Sequence, residues 1–188
     1  MSSWIWVVIV AVIVVAVLAV VVWNVLAKQR TQRLQGQFGP EYDRTVEQSD
    51  DRRHAEAELE ARIERRESLD LHPLPSASRE RYLERSRALQ GQFVDQPELA
   101  VKNAETLIDD VMLEQGYPMD DFDQRAADIS AVDPQLVEHY REGHRLARIQ
   151  GDASARTEAL RQAMQHYRAL LEQFVENTDE RRTTSVST

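Results

Sequence analysis

The chain has 188 residues, no cysteine, and 32 acidic against 23 basic side chains, a net charge of -9. The lack of cysteine excludes disulfides, thiolate chemistry and cysteine-based zinc or iron–sulfur sites. An acidic chain also lacks the basic footprint that neutralises phosphates, so no nucleic-acid partner is expected.

The charge is unevenly placed, because the first 27 residues carry no charged side chain. Within them WIWVVIVAVIVVAVLAVVVWNVL, residues 4–26, is apolar except for Asn24. It is longer than the roughly 20 residues that a membrane helix needs. At about 1.5 Å of rise per residue, Trp4 and Trp6 stand roughly 26–29 Å from Trp23. That is close to the hydrocarbon thickness, which predicts the three indoles as anchors at the two interfaces of a lipid bilayer. A cleaved secretory signal would have a shorter apolar run behind positive charge. Here Lys28, Arg30 and Arg33 follow the run instead. The positive-inside rule therefore predicts an uncleaved single-pass anchor over 1–27, with the N-terminus outside and the rest in the cytoplasm.

The anchor helix is expected to continue through KQRTQRLQGQF and to break at Gly39-Pro40, since proline cannot continue the hydrogen-bond ladder. A charged helix is predicted next, completing a juxtamembrane stalk over 28–69. Its stretch 41–69 has sixteen charged residues, and its apolar positions Tyr42, Val46, Leu59 and Ile63 make a stripe too thin to bury well. If straight it would measure about 44 Å. A coiled-coil seam through Leu59 and Ile63 would make the protein a homodimer, although sustained heptads are missing.

DLHPLPSA reads as a linker over 70–77, and a helical bundle is predicted over 78–176. After a helix at 79–93, Asp95 and Glu98 have capping-box spacing, and Pro97 suits a first helical turn. The next helix aligns Val101, Ala104, Ile108, Val111 and Met112, and Gly116 ends it. A short helix carries Phe122, Ala126 and Ile129. Asp133-Pro134 then reads as N-cap plus first-turn proline of a helix aligning Val137, Tyr140, His144 and Ala147. The last helix, about 157–176, has the cleanest stripe: Leu160, Met164, Tyr167, Leu171 and Phe174. Residues 177–188 are a polar tail with nothing to bury and are expected to be disordered. No segment alternates as a strand does, so the predicted fold class is all-α.

The pentapeptide LQGQF occurs at 34–38 and at 89–93. The likeness stops within a few residues on either side, unlike a duplicated unit. Both copies set Leu and Phe four residues apart shortly before a proline, and they read as two helix ends.

Little in the chain carries chemistry. There is no Glu-x-x-His of the di-iron bundles, no HExxH, no GxSxG and no glycine-rich phosphate loop. Asp51-x-x-His54 is a single near miss, and five scattered histidines argue against a histidine zinc site. No metal, cofactor or catalytic residue is expected. One constellation stands out, the tripeptide His-Tyr-Arg at 139–141 and again at 166–168. If the last two helices form an antiparallel hairpin, Tyr140 and Tyr167 fall at one level, about 15 Å from the turn. His144 shares the inward face. This predicts either two packed tyrosines beside a bonded histidine, or a polar layer edged by Arg141 and Arg168 that holds an anion or small ligand. GYPMDD, 116–121, reads as a helix stop and N-cap, or as a loop exposing Tyr117 to a partner.

FGPEYDR, EQGYPMDDFDQRAADIS, DPQLVEHYREGH and TEALRQAMQHYRALLEQF resemble an uncharacterised family of small bacterial, mostly actinobacterial, proteins. The likeness covers most of residues 38–174, and its one departure is Ser86, where such sequences have Trp. It implies no activity. The reading the chain supports best is a non-enzymatic membrane-anchored scaffold for unidentified protein partners, and the alternative is a small-ligand sensor or enzyme using the His/Tyr/Arg layer.

Overall fold

The computed structural model describes residues 2–186. They form eight α-helices and no strand: α1 (Ser2–Phe38), α2 (Pro40–Gln48), α3 (Arg52–Ser68), α4 (Ser76–Asp95), α5 (Pro97–Glu114), α6 (Phe122–Val132), α7 (Pro134–Ala147) and α8 (Ala153–Val186). The chain divides into two compact units between Glu60 and Ala61, inside α3. The stalk was expected to reach 69, so the boundary falls earlier than the sequence suggests.

In the first unit α1 passes from its apolar run into its polar end without a break. Gly39 stops it at φ 50°, and Pro40 opens α2. Glycine tolerates that positive φ, and proline lacks an N–H that a first turn would leave unbonded anyway. Leu34 and Phe38 are buried just before this stop, as are Tyr42, Ala55 and Leu59. The expected solvated helix over 41–69 is thus corrected twice. It is two helices, interrupted at Ser49, Asp50 and Asp51, residue types that favour turns and caps over helix interiors. It is also pinned by a buried carboxylate: Glu56 accepts from Thr31 at 2.6 Å and from Tyr42 at 3.0 Å. Polar bonding therefore supplies what the thin apolar stripe lacks. Leu59, on which a dimer seam would be built, is buried within the single chain.

The second unit has one core, to which α4, α5, α6, α7 and α8 all contribute. Every position predicted for the inner faces of α5 and α8 is buried, including Ile108, Met112, Leu171 and Phe174. Burying side chains of that size is worth about 1.5–3 kcal/mol each. The principal packings are α7 on α8, α4 on α5, α5 on α8 and α6 on α7.

Residues 70–77 are not a free linker. Leu74 is buried in the core, and the His72 N–H donates to the Gln115 carbonyl at 3.0 Å. Two prolines stop a helix there without stopping the backbone from packing. Gly116, at φ 90°, answers this segment, because any side chain on it would collide with the Asp70 carbonyl.

Asp121 caps α6 by accepting from the Gln124 N–H at 2.9 Å, and Asp133 caps α7 through Gln135 and Leu136. Asp95 does not cap α5. It remains the last residue of α4, so the N-cap position falls to Gln96, whose side chain makes no cap bond. Tyr117 is buried with its ring edge-on to Phe174 at 6.0 Å, so the exposed-tyrosine loop does not form. Finally, α8 continues to Val186, where a disordered tail was expected from 177. No glycine or proline occurs in that stretch to end the helix; residues 187 and 188 of the expected tail lie outside the described residues.

Candidate functional site

The constellation of the two His-Tyr-Arg tripeptides sits where α7 runs along α8. His139 faces His166, and Gly143 lies against the ring of Tyr167. These pairings set the hairpin register, and they bring Tyr140 level with Tyr167 as the spacing predicts. A Cβ on Gly143 would stand 2.9 Å from Tyr167 Cε1, so the missing side chain is what lets the ring approach α7.

Both tyrosines are only 2% exposed. Burial pushes their hydroxyls well above the ordinary phenol value, so neither ionises near neutrality. The Phe122 ring of α6 stacks on Tyr140 at 4.9 Å and on His144 at 3.7 Å between centroids. His144 is half-buried, with Nδ1 3.0 Å from Glu105 Oε1 of α5. Burial holds this imidazole below its ordinary value, against the opposing pull of Glu105. Arg148 donates to the same Glu105 oxygen at 3.1 Å, and Arg125 donates to Asp109 at 2.6 Å. Burial raises the Asp109 carboxyl.

The layer is therefore two carboxylates one turn apart on α5, guanidinium groups from α6 and from the residue that follows α7, and a histidine. Opposite charges are matched, as half-buried ions require. Of the arginines expected at its edge, Arg168 has a partner that draws it away. Arg168 donates along its own helix to Glu172 at 2.8 Å, and Arg141 is half-buried one residue round from Tyr140. Phe122, Glu105, Asp109, Arg125 and Arg148 were missed by sequence reasoning. The signal present was a pair of acids, Glu105 and Asp109, spaced by four on one side of α5.

A surface groove of about 570 Å³ opens between α5, α7 and α8 beside this layer. Glu105 and Arg148 belong to both, and Lys102, Arg156, Leu99 and Leu160 complete much of its wall. Tyr140, His144 and Tyr167 do not line it. Two further carboxylates are held by uncharged or charged donors. Glu114 bonds Ser78 and, at 2.6 Å, Tyr82; burial pushes its carboxyl up, but these bonds prevail and hold it below the ordinary value. Buried Asp128 accepts from Arg65 at 2.7 Å and from Gln124 at 3.0 Å. Asp51 and His54 are exposed at the start of α3. Among the described residues no group of three or more His, Cys, Asp or Glu is arranged to hold a metal ion.

In the first unit the predicted interface residues Trp4, Trp6 and Trp23 are all exposed on α1. Lys28 and Arg33 are exposed as well, whereas Arg30 donates to Glu60 at 2.6 Å. A groove of about 400 Å³ runs along α1 from Trp23 to Arg30 and is also lined by Arg53 and Glu56 of α3.

The described residues define an all-helical protein in which one helix near the N-terminus is long and apolar enough to cross a membrane. No protein-family model, curated protein or solved structure matches the chain.

Proposed function

We propose that the protein is a single-pass membrane-anchored interaction module, with its acidic helical unit in the cytoplasm of a bacterial cell. The observation that carries this reading is α1. Its most apolar window, within Ile13–Phe38, has a mean hydropathy of 1.7 and no buried residue. Thirteen large apolar side chains, from Trp4 to Leu26, are exposed along it. At about 1.5–3 kcal/mol each, leaving them in water would cost on the order of 20–40 kcal/mol. A bilayer removes that cost.

The interaction role draws support from what the second unit does with its polar groups. Tyr140 and Tyr167 are enclosed and do not line the groove, so the layer serves packing and charge balance more readily than ligand capture. The acidic unit would be repelled by anionic lipid beyond the basic collar and would stand off the surface, where protein partners reach it. Nothing in the resemblance to the small bacterial family adds an activity.

The test is a pair of topology reporters fused after residue 188, one active only in the cytoplasm and one only outside it, followed by crosslinking in cells. A cytoplasmic signal with a recovered protein partner or self-association is expected. An external C-terminus overturns the orientation, and recovery of neither partner nor second copy overturns the interaction role.

A further inference from the structure

Two histidines 27 residues apart, His139 on α7 and His166 on α8, converge with Nδ1 atoms 2.9 Å apart and ring centroids 5.2 Å apart. Both rings are only partly buried, at the edge of the hairpin and away from the Glu105 layer. In the resting pair one imidazole nitrogen donates and the other accepts, so at least one ring presents a lone pair, through which imidazole ligates metals. We propose that this pair is a two-histidine site for a divalent transition ion, clamping α7 to α8.

Two metal–nitrogen bonds of about 2.0–2.1 Å place the nitrogens roughly 2.9–3.3 Å apart, for angles from a right angle to the tetrahedral one. The resting distance is that of an N–H···N hydrogen bond and already lies in this range, so one ion can bridge the pair once the rings turn. Among first-row divalent ions copper(II) is then favoured first, by the order that nitrogen ligands impose. Aiming both lone pairs at one outer point takes ring rotation at each histidine and no movement of either helix. Water fills the remaining positions.

The surroundings suit a cation. Glu138 precedes His139 on α7 and Glu142 follows it by one turn, which places negative charge near the pair. Arg145 holds Glu142 at 2.8 and 2.5 Å, which fixes that carboxylate nearby as a counter-charge and keeps it out of the ligand set. The ligand set is then two imidazoles, one from each helix.

The experiment uses the full chain without an affinity tag, in nanodiscs, titrated calorimetrically with nickel(II), copper(II) and zinc(II). One ion per chain is expected, with copper bound tightest. Losing an outer-shell partner typically weakens a metal site about 10–100-fold, so loss of a ligand in His139→Ala or His166→Ala should weaken nickel binding at least about tenfold. His54→Ala should change nothing. The copper(II) electron paramagnetic resonance spectrum should show two imidazole nitrogens. Circular dichroism checks the fold of each variant, and His166→Asn replaces His166→Ala if helix is lost. Binding that survives loss of His166, or a copper spectrum with one nitrogen, overturns the proposal.

Discussion

The approach of Tyr167 to Gly143 makes a sharp test of how the last hairpin is held. Gly143→Ala adds one methyl, which would meet Cε1, Cδ1 and Cζ of the Tyr167 ring at 2.9, 3.1 and 3.3 Å. The ring is 2% exposed, and contacts this close require either it or α7 to shift. Overpacking of this kind costs about 1–3 kcal/mol. Alanine in a helix interior regains about 1 kcal/mol over glycine, so the net effect is a loss of about 0–2 kcal/mol. Gly91 in α4 is the control, since a Cβ there meets nothing within 4 Å. Gly91→Ala should stabilise by about 0.5–1 kcal/mol. The difference between the two variants isolates the steric part, about 1–3 kcal/mol, or roughly 2–12 °C in Tm for a chain of this size. Thermal unfolding followed at 222 nm measures it, with Tyr167→Ala as a second background in which the penalty on Gly143→Ala should vanish. Equal Tm values for the two alanine variants would refute the proposed contact.

Three further outcomes are expected. His144, which faces Glu105, Arg148 and Arg125, is held by burial below its ordinary value of 6.5 in the folded chain. Above that value both states are neutral there; as pH falls below it the unfolded chain takes the proton first, so stability drops until the folded value is passed. Melts from pH 7.5 to 5 in the presence of a chelator should show the drop, and His144→Gln should flatten part of it. Glu56→Ala leaves Thr31 and Tyr42 without their acceptor and should cost the first unit about 1–3 kcal/mol. Hydrogen exchange should speed up in α2 and the start of α3 and stay unchanged in α5 and α8. Asp128→Asn weakens the hold on Arg65, whose side chain is 36% exposed and also pairs with Asp120. The loss should be about 1–3 kcal/mol by denaturant titration, below the 3–5 kcal/mol of a fully buried pair.

The second unit was largely legible because its helices announce themselves through apolar spacing and proline or aspartate punctuation. Phe174, Leu171 and Ile108 face the core as their periods require, and Asp133 caps α7 where Asp-Pro stands. Sequence reasoning failed where burial is decided by tertiary partners instead of local pattern. Leu74 lies between two prolines, a composition that reads as linker, yet Gly116 lets the backbone of that segment close on the end of α5. Tyr117 follows a helix stop and looks exposed, but Phe174, 57 positions on, covers it. The candidate layer shows the same limit: the level of the two tyrosines follows from helix rise, while the pairing of His144 with Glu105 and of His139 with His166 depends on which faces of three helices meet.

The first unit bears on the orientation argument itself. Of the three cations that follow the apolar run, Arg30 is tied to Glu60 at 2.6 Å, with Glu56 3.9 Å away. A rule based on net charge would therefore discount it, leaving Lys28 and Arg33 against neighbouring carboxylates. The positive-inside bias counts Lys and Arg and is nearly blind to Asp and Glu, because it acts as the segment inserts, before such pairs form. All three cations thus count during insertion, and Arg53, which lines the same groove as Trp23, adds a fourth cation near the interface afterwards. On the proposed reading, the basic residues that choose the orientation and those that face the finished membrane surface are different sets, overlapping at Lys28 and Arg33.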